Sequence, residues 1–421
     1  MKLARYDSYR PSGVPWLGSV PSGWEVSRTR YVCSIETGSR DTVDALPEGA
    51  FPFFVRSQQV EAIDTYSYDC EAVLTAGDGV GVGKVFHHFT GRFEAHQRVY
   101  VFKDFRTVLG RYFFYYLSTL FSDVAVQGTA KSTVDSLRRP MLADFEVLVP
   151  PLDEQQAIVG FIQRETAQID GLIGKQERLV ELLAERRSAA ITHAVTHGIE
   201  DCADMVDIQS PWLDRIPRRW TWIAFRYVAA VNGGLVDPRD EPFADMTLVA
   251  PNHIEKGTGV LLAPETAAQQ GADSGKYLVE EGEVLYSKIR PHLNKVTLAI
   301  EPCLCSADMY AISGRPGVLN NDFLMYLMLS KPFLEFAKNS SMRVAMPKIN
   351  RDALEASKLW FPDLPTQFDI VRHIKDETAR IDVLTAKARQ VVAVLSERRS
   401  ALISAAVTGK IDVTKRIEGA A

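Results

Sequence analysis

Three stretches of this chain carry amides, imidazoles and cations of the kinds that contact phosphates and base edges, and each has a counterpart further along. Arg56-Ser57-Gln58-Gln59 follows an apolar, strand-like run and lies over Ala250-Pro251-Asn252-His253. A Gln or Asn amide can pair with adenine through two hydrogen bonds, and Arg or Lys can do so with guanine or bind phosphate. Gly77 to His88 reads GDGVGVGKVFHH and includes Lys84, His87 and His88. It lies over KIRPHLNKV, with Lys288, Arg290, His292, Asn294 and Lys295. Gly128 to Arg139 offers Lys131, Ser132 and Arg139, over Arg343, Lys348, Asn350 and Arg351. A polar turn or a solvated charged face has the same composition, so residue type alone leaves those readings open.

The glycine-rich stretch superficially resembles a phosphate-binding loop but fails its test. Position 78 is aspartate, Val85 stands where Ser or Thr must follow the lysine, and VFHHF reads as a strand where a helix is required. The counterpart has lost the glycines and kept Lys84 as Lys295, which predicts a hairpin presenting a cation. His87, His88 and His96 could surround a metal, but the counterpart has no such cluster and no metal site is expected. Methyltransferase, Walker A, nuclease and nucleophile-elbow signatures are all missing from the sequence. The expectation is therefore a chain without a catalytic site or cofactor of its own. A self-contained enzyme with a pseudo-symmetric site is the competing reading, and it would need a constellation not seen here.

At 421 residues, 46% hydrophobic and 24% charged, the chain is long enough for two or three folded domains. Its net charge of −5 is unlike that of most nucleic-acid binders, so basic patches must be local and masked by acidic regions elsewhere. The opening MKLARYDSYRPSG lacks the apolar core of a secretory signal, and the aromatic run from Tyr112 to Phe121 is about half the length of a membrane span. The five cysteines (Cys33, Cys70, Cys202, Cys303 and Cys305) include no C-x-x-C pair. These features predict a reducing cytoplasm and no membrane partner.

What positions the three stretches is a duplication. Pro15 to Val32 matches Pro211 to Val228 at 8 of 18 positions, and Glu154 to Ile199 matches Thr366 to Ile411 at 23 of 46 without gaps. The two offsets, 196 and 212, differ because the second copy carries extra residues, placed mainly in a loop from Lys256 to Gly282. The expected division is a leading segment 1–24, a globular domain 25–150, a helix 151–199, a linker and second leading segment 200–220, a second globular domain 221–362, a second helix 363–412 and a tail 413–421. Both helical segments keep hydrophobic residues alternately four and three apart, which is a heptad seam. At about 1.5 Å per residue each helix spans on the order of 65 Å. The natural partner for each seam is the other copy, although pairing in a homodimer has the same signature. Glu165, Arg186, Glu377 and Arg398 fall on the seam, and an antiparallel pair would set Glu165 against Arg398 and Arg186 against Glu377 to fix the register.

The strings SERRSALISAAVTGKIDV at Ser396, AERRSAAITHAVTHGIED at Ala184, VPPLDEQQAIVGFI at Val149 and the repeated P-W-L-x3-[VI]-P-x2-W resemble those of the Type I restriction–modification specificity subunits. The resemblance covers essentially the whole chain. It implies an α/β mixed fold, with two target recognition domains separated by two long antiparallel coiled-coil helices that set the spacing of two DNA half-sites. It also implies double-stranded DNA, two methyltransferase subunits docked on the helices, and restriction (helicase-nuclease) subunits as partners. Thr366 replaces Glu154 in the second copy, so the two docking surfaces are expected to differ. A purely structural coiled-coil scaffold is the remaining alternative, and it leaves two domains of about 130 residues without a purpose.

Overall fold

In the computed structural model, which describes residues 4–127, 136–200, 204–231, 233–341 and 347–415, the apolar alternation of the first domain becomes a long antiparallel hairpin. Its strands are Tyr68–Ala76 and Phe86–Ala95. They lie inside a six-stranded sheet ordered Ser34–Thr37, Val99–Lys103, Tyr68–Ala76, Phe86–Ala95, Phe51–Phe54, Glu61–Ile63. Most neighbours are antiparallel, but Phe51–Phe54 runs parallel to the end of the hairpin, with Phe53 beside Glu94. The helix Gly110–Gln127 buries Tyr112, Phe113, Tyr116 and Leu117 with Val73 and Phe102 of the sheet.

The second domain repeats this frame in broken form. One four-stranded sheet runs Ala229–Val231, Met309–Gly314, Val284–Ser287, Val296–Leu298, matching the first four strands above. The other runs Leu235–Val236, Lys276–Val279, Cys303–Cys305, Leu248–Val249, and its last pair is again parallel. The long hairpin has thus been cut in two, around Glu280-Glu281-Gly282 on one strand and Ile300-Glu301-Pro302 on the other. The expected loop from Lys256 to Gly282 therefore contains a strand, Lys276–Val279, where the sequence suggested irregular chain.

The chain divides into two compact units, Met1–Gln176 with Gln390–Ala421, and Glu177–Arg389. Two long helices, Leu152–His197 and Leu364–Val407, contribute one half to each unit. Gly198 and Gly409 end them at φ 88° and 68°, a left-handed conformation that glycine adopts without steric cost. Within the first unit Ile158, Phe161 and Ile162 cluster with Ile403, Ala406 and Val407. Within the second, Ile191, Ala194 and Val195 cluster with Ile370, Val371 and Ile374. Asp170 binds Arg399 in one unit and Asp382 binds Arg187 in the other, so the helices run antiparallel in both.

The seam differs in phase from the one the heptads predicted. One column is as expected, with Ile162, Ile169 and Leu183 buried. The other holds Thr166 and Arg187 where Glu165 and Arg186 were expected, a rotation of one residue. Leu172 and Leu179, and their repeats Leu384 and Val391, are left 41–50% exposed. Arg186 still reaches Glu377 at 2.9 Å, but among the described residues no ion pair joins Glu165 to Arg398. The contacts present in both copies are instead Arg187 Nε to Asp382 at 3.1 Å and Arg399 Nε to Asp170 at 2.8 Å.

A buried amide ties each domain to its own helix. Gln155 has no exposed surface. Its Oε1 accepts from Leu109 N at 2.8 Å, and its Nε2 donates to Thr107 O and Pro150 O at 2.9 and 2.8 Å. Gln367, its repeat, accepts from Asn320 N and donates to Val318 O and Pro362 O at 2.8, 2.9 and 2.9 Å. The last turn of the opposite helix is held too: Tyr112 Oη donates to Val407 O and Trp360 Nε1 to the equivalent Val195 O. Gln155→Ala would leave one donor and two acceptors unpaired beside a cavity. It is expected to cost roughly 2–4 kcal/mol in denaturant unfolding of the first domain. Gln155→Leu should recover the cavity part of this cost and remain destabilised by the three lost bonds.

Candidate nucleic-acid interface

The three stretches singled out in each copy converge, and main-chain bonds bring the second and third together. In the first domain Leu137 N donates to Gly77 O at 2.7 Å, and Gly77 N donates to Arg98 O at 2.8 Å. In the second, Ile349 N donates to Lys288 O at 2.9 Å, and Lys288 N donates to Asp308 O at 3.0 Å. Isolated bridges repeat the match, Asp78 with Ser136 and Ile289 with Lys348. The first stretch joins through side chains. Arg56 donates to Asp78 Oδ1 at 3.1 Å and His87 Nε2 lies 3.1 Å from Ser57 O, while in the second domain Lys295 Nζ donates to Pro251 O at 2.6 Å.

This convergence explains the glycines of GDGVGVGK. A Cβ on Gly77 would come within 2.9 Å of Arg98 O, and one on Gly81 within 2.4 Å of Arg56 O. They permit close approach of neighbouring backbones and are not a phosphate cradle.

The candidate residues then separate by what their polar atoms already touch. His88 is buried with Nε2 at 2.8 Å from Glu71 Oε1, and Asn294 is buried with its amide donating to Leu329 O. Asn350 caps the helix Arg351–Ala356 by accepting from Ala353 N, and His253 Nδ1 accepts from Ala250 N. Arg139 donates to Ile35 O at 3.0 Å and Arg351 to the corresponding Val231 O at 2.8 Å, so both brace the first strand of their sheet. His87 is half-buried, and burial pulls its pKa below the ordinary range against a weaker opposing pull from Ser57 O, leaving it neutral at pH 7. Lys288 lies 5.5 Å from the ring centroid of Tyr310. Ser57 folds back to bond Gln59 O.

Gln58, Gln59, Lys84, Asn252, Arg290, His292 and Lys348 are exposed, and no hydrogen bond or ion pair engages their side-chain polar atoms among the described residues. Arg290 sits at φ 47°, a left-handed conformation unusual for a bulky side chain, and its N–H donates to Pro347 O at 2.9 Å. Lys131, Ser132 and Arg343 lie outside the described residues. The expected equivalence of Lys84 and Lys295 therefore fails in register and in environment: Val85 O and Lys295 O accept the matching bonds from Ala76 N and Ser287 N, and the Lys84 ammonium is open while that of Lys295 is bonded to Pro251 O. Sequence reasoning missed Arg98, which shares Asp78 with Arg56. Its position in the second copy is Asp308, so the duplication carried no signal for it.

Among the described residues no group of three or more His, Cys, Asp or Glu side chains is placed to hold a metal ion. None of their helices is long and apolar enough to cross a membrane.

The sequence profile of the Type I restriction modification DNA specificity domain matches residues 21–181 and 250–392, the greater part of both repeats. The chain belongs to this Type I specificity family. It is similar to the Type I restriction enzyme EcoDI specificity subunit of Escherichia coli, with 29% identity over 416 residues, 95% of this chain and 91% of that one. It is also similar to the MjaVIII specificity subunit of Methanocaldococcus jannaschii, with 20% identity over 94% of each chain. A chain from a structure described as the basis of complex assembly and conformational transition of the type I R-M system shares the fold. Its TM-score is 0.62 at 15% identity, covering 92% of this chain and 98% of that one. The α/β mixed architecture expected from the sequence, two repeated domains and two long helices, is thus the family's own.

In a DNA specificity protein the open lysine and the bonded one should behave differently. Lys84→Ala is expected to lower the slope of log affinity against log salt by about one unit, as loss of one phosphate contact does. Lys295→Ala should leave the slope unchanged and lower the melting temperature of the second domain, measured by differential scanning fluorimetry.

Proposed function

We propose that this chain is the recognition subunit of a Type I restriction–modification complex, reading a split, asymmetric DNA site with one domain per half-site. The observation that supports this is the loop frame itself. The same main-chain bonds assemble it in both domains, and on it stand different side chains: Gln58, Gln59 and Lys84 in one, Asn252, Arg290 and Lys348 in the other. A frame built twice and dressed differently suits two readers of unlike sequence. Phosphate contacts from the lysines and arginines would set position, and the amides and arginines would reach base edges.

On this reading the chain itself performs no chemistry. Two methyltransferase subunits dock on the paired helices, one for each repeat, and restriction subunits join through them in the cytoplasm. Double-stranded DNA is the ligand, and no cofactor is bound by this chain. Purified alone with DNA and a labelled methyl donor, it should transfer nothing, and activity should appear when the methyltransferase is added.

Modularity is the direct test. Exchanging residues 25–148 for the equivalent segment of another family member should change one half of the methylated motif, mapped genome-wide, and preserve the other half. Simultaneous change of both halves would show that the two domains do not read independently.

A further inference from the structure

We propose that Asp78 holds Arg56 and Arg98 as a paired guanidinium fork that reads guanine in the half-site served by the first domain, an assignment that rests on the function proposed above. The two arginines come from different strands, Arg56 just after Phe51–Phe54 and Arg98 just before Val99–Lys103. Asp78 stands between them, giving Oδ1 to Arg56 Nη1 and Oδ2 to Arg98 Nη1. Its carboxyl is pushed up by partial burial, but the bonds from Arg98 and Arg56 outweigh this and hold it below the ordinary carboxylate range. The aspartate therefore stays ionised wherever DNA binds, and the trio carries one net positive charge.

Each guanidinium has five N–H donors and uses Nη1 on Asp78, which leaves the remaining edge of its planar fork for another acceptor pair. Guanine O6 and N7 are such a pair in the major groove, and bidentate Arg–guanine contact is the commonest specific one. The side chains remain accessible, 42% for Arg56 and 58% for Arg98, whereas Asp78 at 21% is largely covered. A carboxylate that fixes a guanidinium in advance lowers the ordering cost of the contact.

The duplication separates this trio from the scaffold. Arg139 and Arg351, Gln155 and Gln367, and the Arg187 and Arg399 pairs recur in both copies with the same partners. The trio does not. By the shared main-chain bonds, Asp78 corresponds to Ile289 and Arg98 to Asp308, and Arg56 falls at Ala250-Pro251. The main-chain bonds of the frame recur in the second domain without any of the three. A charged, accessible trio that one copy has and the other replaces, once by a residue of opposite charge, is suited to distinguishing one target from another.

The test uses the full chain in complex with its methyltransferase subunits, reading the methylated motif and the melting temperature together. Arg98→Ala and Arg98→Lys are both expected to relax a guanine in one half-site by on the order of 10- to 100-fold, with the other half-site and the melting temperature unchanged. Lysine fails because it keeps the charge and loses the fork. Asp78→Asn should weaken the same position, since it removes the carboxylate that orients both arginines. Three results would each overturn the proposal: a first half-site with no G·C pair, an Arg98→Ala motif identical to the original with affinity reduced evenly across sequences, or unchanged motif and affinity. Failure of the broader function is a separate outcome, in which the unaltered complex methylates no split motif at all.

Discussion

Each recognition domain hangs on a single buried side-chain amide. Gln155 and Gln367 have no contact with solvent, and each satisfies one main-chain N–H and two main-chain carbonyls. A buried amide lacking these partners would cost more than it contributes, so the bonds hold the helix start, the preceding proline carbonyl and the loop ahead of the domain's own helix in one geometry. At the other end Tyr112 and Trp360 reach the same carbonyl of the repeat, Val407 O and Val195 O, with different chemistry. The domain is thereby fixed to both long helices within its unit, and its reading loops inherit that fixed orientation.

Repetition inside one chain acts here as an internal control. Contacts that survive duplication, such as Arg139 to Ile35 O and Arg351 to Val231 O, are needed by the fold. Side chains that vary on an unchanged backbone are free to serve recognition. A second criterion, the bonding of each polar atom, moves further residues out of the interface, among them His88, Asn294 and Asn350, whose atoms are committed to Glu71, Leu329 O and Ala353 N. Their composition suggested DNA contact. Their bonding assigns them to the structure.

The duplication, the long helices and the recurrence of three polar stretches were legible in the sequence because repeats and heptads are periodic, whereas the convergence of those stretches rests on main-chain bonds between residues some 60 positions apart, such as Leu137 N to Gly77 O. The seam was legible only to within one residue. Leu172 is followed by Ile173 and Leu179 by Val180, so two adjacent columns are apolar, and Arg186 is followed by Arg187. Pattern alone cannot choose between them; the packing of the antiparallel partner does, burying Arg187 against Asp382 and leaving Arg186 at the rim. Arg98 was invisible for another reason. Its importance depends on strand Val99–Lys103 lying beside Tyr68–Ala76, a pairing across some 25 residues that no local motif announces.

The loops are held by main-chain bonds such as Leu137 N to Gly77 O and Ile349 N to Lys288 O, which are indifferent to the side chains displayed upon them. Substitutions at exposed positions away from special features usually change stability by less than about 0.5 kcal/mol, while natural proteins sit only a little above the threshold they need. Mutational drift across Gln58, Gln59, Asn252 or Lys348 is therefore close to neutral for folding. A lineage can wander through many target sequences without passing through an unstable ancestor, and one half of the chain can do so while the other stands still.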